Sequence, residues 1–147
     1  QLVAAYIRRQ LQTLHIQATE KGPYAVRAGE LAHLKTDFHF ALRETNSLGD
    51  MLKLLHPTPA VCGLPKEKAY RFILSQEGYD RSYYSGFIGN LNPSGRTDLY
   101  VNLRCMHIGK ERLTLYAGGG LLPTSKLADE WNETEKKLQT MLAITNN

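Results

Sequence analysis

The sequence predicts an α+β fold, with antiparallel β-sheet layers and helices packed outside them. Three observations carry that prediction. Segments at both ends space their apolar residues at helical intervals. The stretch from about residue 83 to residue 120 consists of short runs rich in strand formers, separated by turn clusters. No internal repeat or low-complexity stretch points to a solenoid or a disordered tail.

The elements follow in order. "QLVAAYIRRQLQTLHI" carries Leu2, Val3, Tyr6, Ile7, Leu11 and Leu14 on helical spacing, and "EKGPY" is expected to end that pattern. "AVRAGELAHLKTDFHFAL" reads as two short strands, or as one long strand bent near Gly29. "SLGDMLKLL" is a short helix that must stop before "HPTPAVCG", because two prolines there forbid a regular helix. "PKEKAYRFILSQEG" is a helix with Pro65 at its start and Gly78 just past its end. "YYSGFIGNL" and "TDLYVNLRCMHI" are strands around the hairpin loop "NPSGR". "IGKE" is a second turn, "RLTLYAGGG" a third strand, and the last helix spans about Lys126 to Leu142.

Composition narrows the function. The chain has 147 residues, 42% apolar and 22% charged, which suits one soluble domain or a large piece of one. A net charge of +4 favours an anionic partner, but the basic residues are scattered. A small anionic substrate is expected, not a nucleic acid. No apolar run is long enough to span a bilayer, so no membrane partner is expected. Cys62 and Cys105 lack metal-ligand or CxxC spacing, which fits a reduced, cytoplasmic protein.

The terminal helix carries the first chemical candidates. Leu127, Trp131, Thr134, Leu138, Met141 and Leu142 form one stripe, expected to be the core contact. Lys126, Glu130, Glu133 and Lys137 form a second row about a quarter turn away. Glu133 and Lys137 are an i,i+4 pair in the favourable order, and such a pair is common on a solvated surface. The same row has the makings of a site. Glu130 and Glu133 could hold Mg²⁺, which takes one or two carboxylates and keeps several waters, while Lys137 could meet a substrate carboxylate.

Other places could complete it. In "LYVNLRCMHI", Arg104 shares the polar face of an alternating strand with Tyr100 and Asn102, where its fork could grip a carboxylate or simply face solvent. "AGGGLL" lets backbone N–H groups approach an anion, or is a plain turn into the helix. His33 could carry a proton near neutral pH, or be structural.

Taken in order, these stretches resemble the C-terminal half of the chorismate-utilising enzymes. "LAHLKTDF", "LLHPTPAVCGLPKEKA", "YDRSYYSGFIGNL", "DLYVNLRCMHI", "LTLYAGGGLLPTS" and "DEWNETEKKLQTML" carry the resemblance across residues 31 to 143. Within that family the isochorismate synthases are most similar. Amine-transferring relatives tend to carry threonine or serine where Ala60 stands in "HPTPA".

The resemblance implies that residues 1–147 are the C-terminal portion of a single chorismate-binding catalytic domain. Its implied chemistry is Mg²⁺-dependent conversion of chorismate to isochorismate, by water addition and loss of the ring hydroxyl. Glu133 is implied as the direct Mg²⁺ ligand and Glu130 as its water-linked neighbour. Lys137 and Arg104 are implied as carboxylate holders. Gly118, Gly119 and Gly120, with amides near Ala60 and Val61, are implied as a backbone cradle. His33 resembles the family's active-site histidine, and Tyr84 and Gly86 are implied to line the pocket. The family's general-base lysine, general-acid glutamate and second metal glutamate are not in this chain. A truncated, inactive piece that self-associates is therefore expected. The pathway could serve menaquinone or a siderophore. Salicylate, aminodeoxychorismate or anthranilate synthesis, or a non-catalytic module of the same fold, are the alternatives.

Overall fold

Helix α1 (Leu2–Thr13) forms where the apolar spacing places it, burying Tyr6 and Leu11. The computed structural model describes residues 2–28, 31–42, 47–92 and 94–145. The chain forms two compact units, Gln1–Tyr70 and Arg71–Asn147.

In the first unit, strands β1 (Thr19–Ala28) and β2 (Leu31–His39) pair antiparallel. The helical pattern has ended by "EKGPY", as expected, but that segment does not separate two elements, because β1 runs through it. A bulge between Lys21 and Tyr24 takes Gly22 and Pro23 out of the register. Proline's missing N–H then costs no ladder bond. Gly22 has φ +130, and a Cβ there would lie 2.6 Å from the Lys35 carbonyl oxygen, so only glycine fits. The expected bend near Gly29 lies outside the described residues.

Helix α2 (Leu48–Leu55) starts on a capping box. The Ser47 hydroxyl accepts from the Asp50 N–H, and the Asp50 carboxylate accepts from the Ser47 N–H. The helix ends before the two prolines, as predicted. Lys66 Nζ donates to the His56 carbonyl at 2.9 Å, the Leu54 carbonyl at 3.4 Å and the Tyr6 hydroxyl at 3.3 Å. The Tyr6 hydroxyl itself donates to the Leu54 carbonyl at 3.1 Å. One cation thus satisfies the carbonyls left over at the end of α2 and ties α1 to them. Helix α3 (Lys66–Gln76) follows Pro65, and Gly78 beyond its end adopts φ +70.

The second unit holds two hairpins. Strand β3 (Phe87–Asn90) pairs antiparallel with β4 (Asp98–Val101), and β5 (Cys105–Ile108) with β6 (Leu113–Tyr116). The expected single strand over "TDLYVNLRCMHI" is therefore two strands. The chain leaves β4 at Asn102, the Leu103 N–H donates to the Val101 carbonyl at 3.0 Å, and Arg104 adopts φ +54. That left-handed residue turns the backbone toward a new partner strand, so one alternation does not run through Arg104.

Helix α4 (Leu127–Thr145) closes the unit and packs on β6. Its expected core stripe is only partly covered: Thr134, Leu138, Met141 and Leu142 are half-buried, and none of the stripe is buried. Leu127 is 87% exposed and Trp131 64%. The β5–β6 sheet is two strands wide, roughly 5 Å between strand axes, which is too narrow to cover a five-turn stripe. The expected solvent face (Asp129, Asn132, Glu135, Lys136 and Gln139) is exposed as predicted. No helix among the described residues is long and apolar enough to cross a membrane.

Candidate active site

The second row of α4 meets the glycine segment that follows β6. Lys137 Nζ lies 2.5 Å from Glu133 Oε1 and donates to the Gly118 carbonyl at 3.1 Å. One turn earlier, Glu130 accepts a hydrogen bond from the Ser125 hydroxyl. Its Oε2 lies 3.3 Å from where a Cβ on Gly119 would stand. Both carboxylates and the lysine are therefore gathered on one side of the helix at one short stretch of backbone. A side chain on Gly119 would crowd the Glu130 carboxylate, so the glycine is what lets them approach. The hydrogen bond from Lys137 holds the Glu133 carboxyl below the ordinary glutamate range.

Beneath the glycines lies a tyrosine. Tyr84 is 8% exposed and stacks on Tyr116, with 5.5 Å between ring centroids. Its hydroxyl lies 2.6 Å from the Cβ position of Gly118. Burial pushes the Tyr84 phenol above the ordinary tyrosine value. Gly86 donates its N–H to the Tyr83 carbonyl, and its carbonyl accepts from the Asn102 N–H at 2.8 Å. Asn102 also accepts the Ser85 N–H at 2.9 Å and donates its side-chain amide to the Tyr83 carbonyl. The "YYSG" turn is thereby pinned beside the chain that leads to Arg104. Arg104 stands one residue before the Cys105–Tyr116 pair, level with the start of the segment leading into Gly118.

A groove of about 720 Å³ is lined in part by Glu130 and Gly119. Its walls include Tyr116, Leu121, Leu127, Trp131 and Leu138. Asp80, His107, Arg112 and Glu135 line it as well, so Glu130 borders a groove of mixed apolar and charged character.

The other candidates belong to the first unit. His33 is exposed on β2 opposite Val26. The Val61 N–H donates to the Thr58 carbonyl at 3.1 Å, as does that of Cys62, while Ala60 is exposed at the same turn. Among the described residues, no three His, Cys, Asp or Glu side chains converge as a metal cage. Two carboxylates one helical turn apart nevertheless fit a hard cation that keeps most of its waters.

The sequence reading passed over Arg81, Tyr116 and Ser125, and named Asn102 only as a polar neighbour of Arg104; all four support these groups. "DRSYYSG" offered a signal for Arg81, since an arginine three residues before a tyrosine can reach its ring in a tight turn.

Comparison with known proteins matches this arrangement to a family. The profile described as "Chorismate binding enzyme" matches residues 1–146. The chain belongs to the chorismate-binding enzymes. It is 31% identical over 144 residues to the isochorismate synthase EntC of Escherichia coli K12, covering 98% of this chain and 36% of that protein. It is 36% identical over 141 residues to the isochorismate synthase DhbC of Bacillus subtilis, covering 95% of this chain and 35% of that protein. Among solved structures, it is similar to a Bacillus anthracis protein assigned as a 2,3-dihydroxybenzoate-specific isochorismate synthase, DhbC. The TM-score is 0.83 at 32% identity, over 97% of this chain and 40% of that one. The chain thus spans about a third of the length of the curated relatives it matches.

Proposed function

We propose that this chain is the C-terminal portion of an isochorismate synthase and supplies the carboxylate-binding and cation-binding side of its active site. The observation that carries the reading is Lys137, held between Glu133 and the Gly118 carbonyl. A lysine so placed presents positive charge beside a run of open backbone, and two carboxylates lie on the same helix row.

In this reading Glu133 and Glu130 hold Mg²⁺ and leave the rest of its shell to water and substrate. When bound, the ion neutralises the ring carboxylate of chorismate, making the adjoining diene a better electron sink. Lys137 binds a substrate carboxylate with whichever of its three N–H donors Glu133 and Gly118 do not use. Arg104 offers a bidentate fork for the same kind of group. The N–H groups of Gly119 and Gly120 can approach an anion without side-chain obstruction, and Tyr84 fixes the height of that backbone from below. These fixed charges act on developing charge without reorganising, which is how such a clamp accelerates a reaction. The overall change adds water at one ring carbon while the ring hydroxyl leaves from another.

The test is turnover by the full-length parent with chorismate and Mg²⁺, with and without an amine donor. Isochorismate formation without the amine donor supports the reading, and amine incorporation replaces it. Glu133→Ala in that enzyme is expected to cost several kcal/mol of transition-state stabilisation, if it orders the cation. An exposed Glu–Lys pair alone contributes under about 1 kcal/mol to stability, so near-normal kinetics in the variant would leave Glu133 as a surface residue.

A further inference from the structure

We propose that Arg81 is a positioning residue for the glycine segment: acting through Tyr84, it sets where the Gly118 carbonyl meets Lys137. The inference rests on the reading of Lys137 as a substrate-binding group, and it adds Arg81 and Glu77, to which that reading gives no part.

Arg81 is itself held on several sides. Its Nε donates to Glu77 Oε2 at 2.7 Å, a second N–H donates to Glu77 Oε1, and Nη1 donates to the Ser85 hydroxyl at 3.2 Å. A bidentate fork fixes the plane of a guanidinium, which a single contact would not. So held, the guanidinium carbon lies 5.5 Å from the centroid of the Tyr84 ring. Tyr116 stacks on the same ring. With only 8% of Tyr84 exposed, the ring has little freedom to shift. Its hydroxyl then abuts Gly118, whose carbonyl accepts the hydrogen bond from Lys137. Glu77, Arg81, Tyr84, Gly118 and Lys137 thus form one continuous chain of contacts, with Glu133 at its far end. Lysine at position 81 would keep the charge and lose both the fork and the planar face.

The test uses the full-length protein with glycine carbonyls labelled in ¹³C, and the variants Arg81→Lys, Lys137→Ala and both together. Lys137→Ala marks the Gly118 resonance when its hydrogen bond is lost. Arg81→Lys is expected to move that resonance in the same direction, and the double variant to move it no further than Lys137→Ala alone. Chorismate kcat/KM is expected to fall about 10- to 100-fold in Arg81→Lys. It should fall little further when Arg81→Lys is added to Lys137→Ala, because coupled residues are not additive. A folded Arg81→Lys protein whose Gly118 resonance stays in place overturns the proposal, as does an additive loss in the double variant. If Arg81→Lys does not fold, Glu77→Gln releases the fork while keeping its shape, and the same resonance decides. A parent protein that ignores chorismate overturns the functional reading, while the Gly118 resonance still decides the role of Arg81.

Discussion

Gly118→Ala separates packing from chemistry in the glycine run. The new Cβ would stand 2.6 Å from the Tyr84 hydroxyl oxygen and 3.8 Å from the carbon that bears it. Ordinary contact begins at 3.4 Å, so the hydroxyl must retreat about 0.8 Å. It has little room to do so, because the ring is buried, stacked on Tyr116 and packed under Arg81. Overpacking at such a site costs about 1–3 kcal/mol. For a chain of this size that is roughly 2–10 °C in thermal midpoint. Tyr84→Phe removes the clashing oxygen and leaves the carbon at an ordinary distance, so Gly118→Ala with Tyr84→Phe should regain most of the loss. The assay is thermal and urea unfolding of the two single variants and the double variant, read as a double-mutant cycle. A Gly118→Ala protein as stable as the parent refutes the reasoning, and so does a double variant with no relief. The neighbouring glycines calibrate it. Gly120 has nothing within 4 Å of its Cβ position, so Gly120→Ala should be near neutral in stability. Gly119→Ala meets only the flexible end of Glu130 at 3.3 Å. It should spare stability and, if Glu130 serves the proposed Mg²⁺ site, weaken Mg²⁺ binding by displacing that carboxylate.

Other perturbations test other parts. The Glu133 carboxyl, followed by NMR, should titrate below the ordinary glutamate value and return to it in Lys137→Ala. Because the folded value is depressed, the pair's stabilisation is present above the unfolded value and lost as pH falls through the folded one; with Glu133 55% exposed it should be small. The Tyr84 phenol should ionise later than free tyrosine in an absorbance titration, since burial opposes its charge; ionisation at the ordinary value would contradict its packing. Lys66→Met strips hydrogen bonds from the Leu54 and His56 carbonyls and the Tyr6 hydroxyl. Chemical denaturation should show a loss of about 1–3 kcal/mol, and no change would mean water replaces them freely. Finally, this chain exposes 11,694 Å², whereas two separate folded units of half its mass would together expose about 9,100 Å². Light scattering should show the isolated chain associating and Trp131→Glu reducing that association; a monomer at high concentration would rule it out.

Much of the fold was legible because local signals agreed. Ser47 and Asp50 cap α2, Pro65 and Gly78 bracket α3, and each element lies where those residues put it. Two misreadings share a cause in tertiary structure. Gly22 and Pro23 look like a break in sequence, but a partner strand absorbs them as a bulge. The apolar alternation from Leu99 to Cys105 looks like one strand face, yet the partner changes from β3 to β6 within it. Alternation reports that a backbone is extended and says nothing about which strand it pairs with. The stripe of Leu127 and Trp131 is a third case. Periodicity shows that a face is suited to burial, but whether anything covers it depends on the width of the sheet it meets.

The site itself shows why one pair of residues supported two readings. Glu133 and Lys137 sit one turn apart, and their ion pair follows from helix geometry alone. Any solvated helix with the same spacing would form it, so the pair carries no information about function. The information lies in the third partner. The Gly118 carbonyl is 19 residues away in sequence, and no periodicity in α4 predicts that Lys137 reaches it. That contact requires the glycine segment to pass beside the helix. The segment in turn stands on Tyr84, 34 residues earlier in the chain. A surface pair that also anchors a distant, side-chain-free stretch of backbone is no longer ordinary. It fixes a cation, a carboxylate and a glycine backbone relative to one another. A binding site for a small dicarboxylate needs that kind of fixed arrangement, and a solvated helix face does not require it.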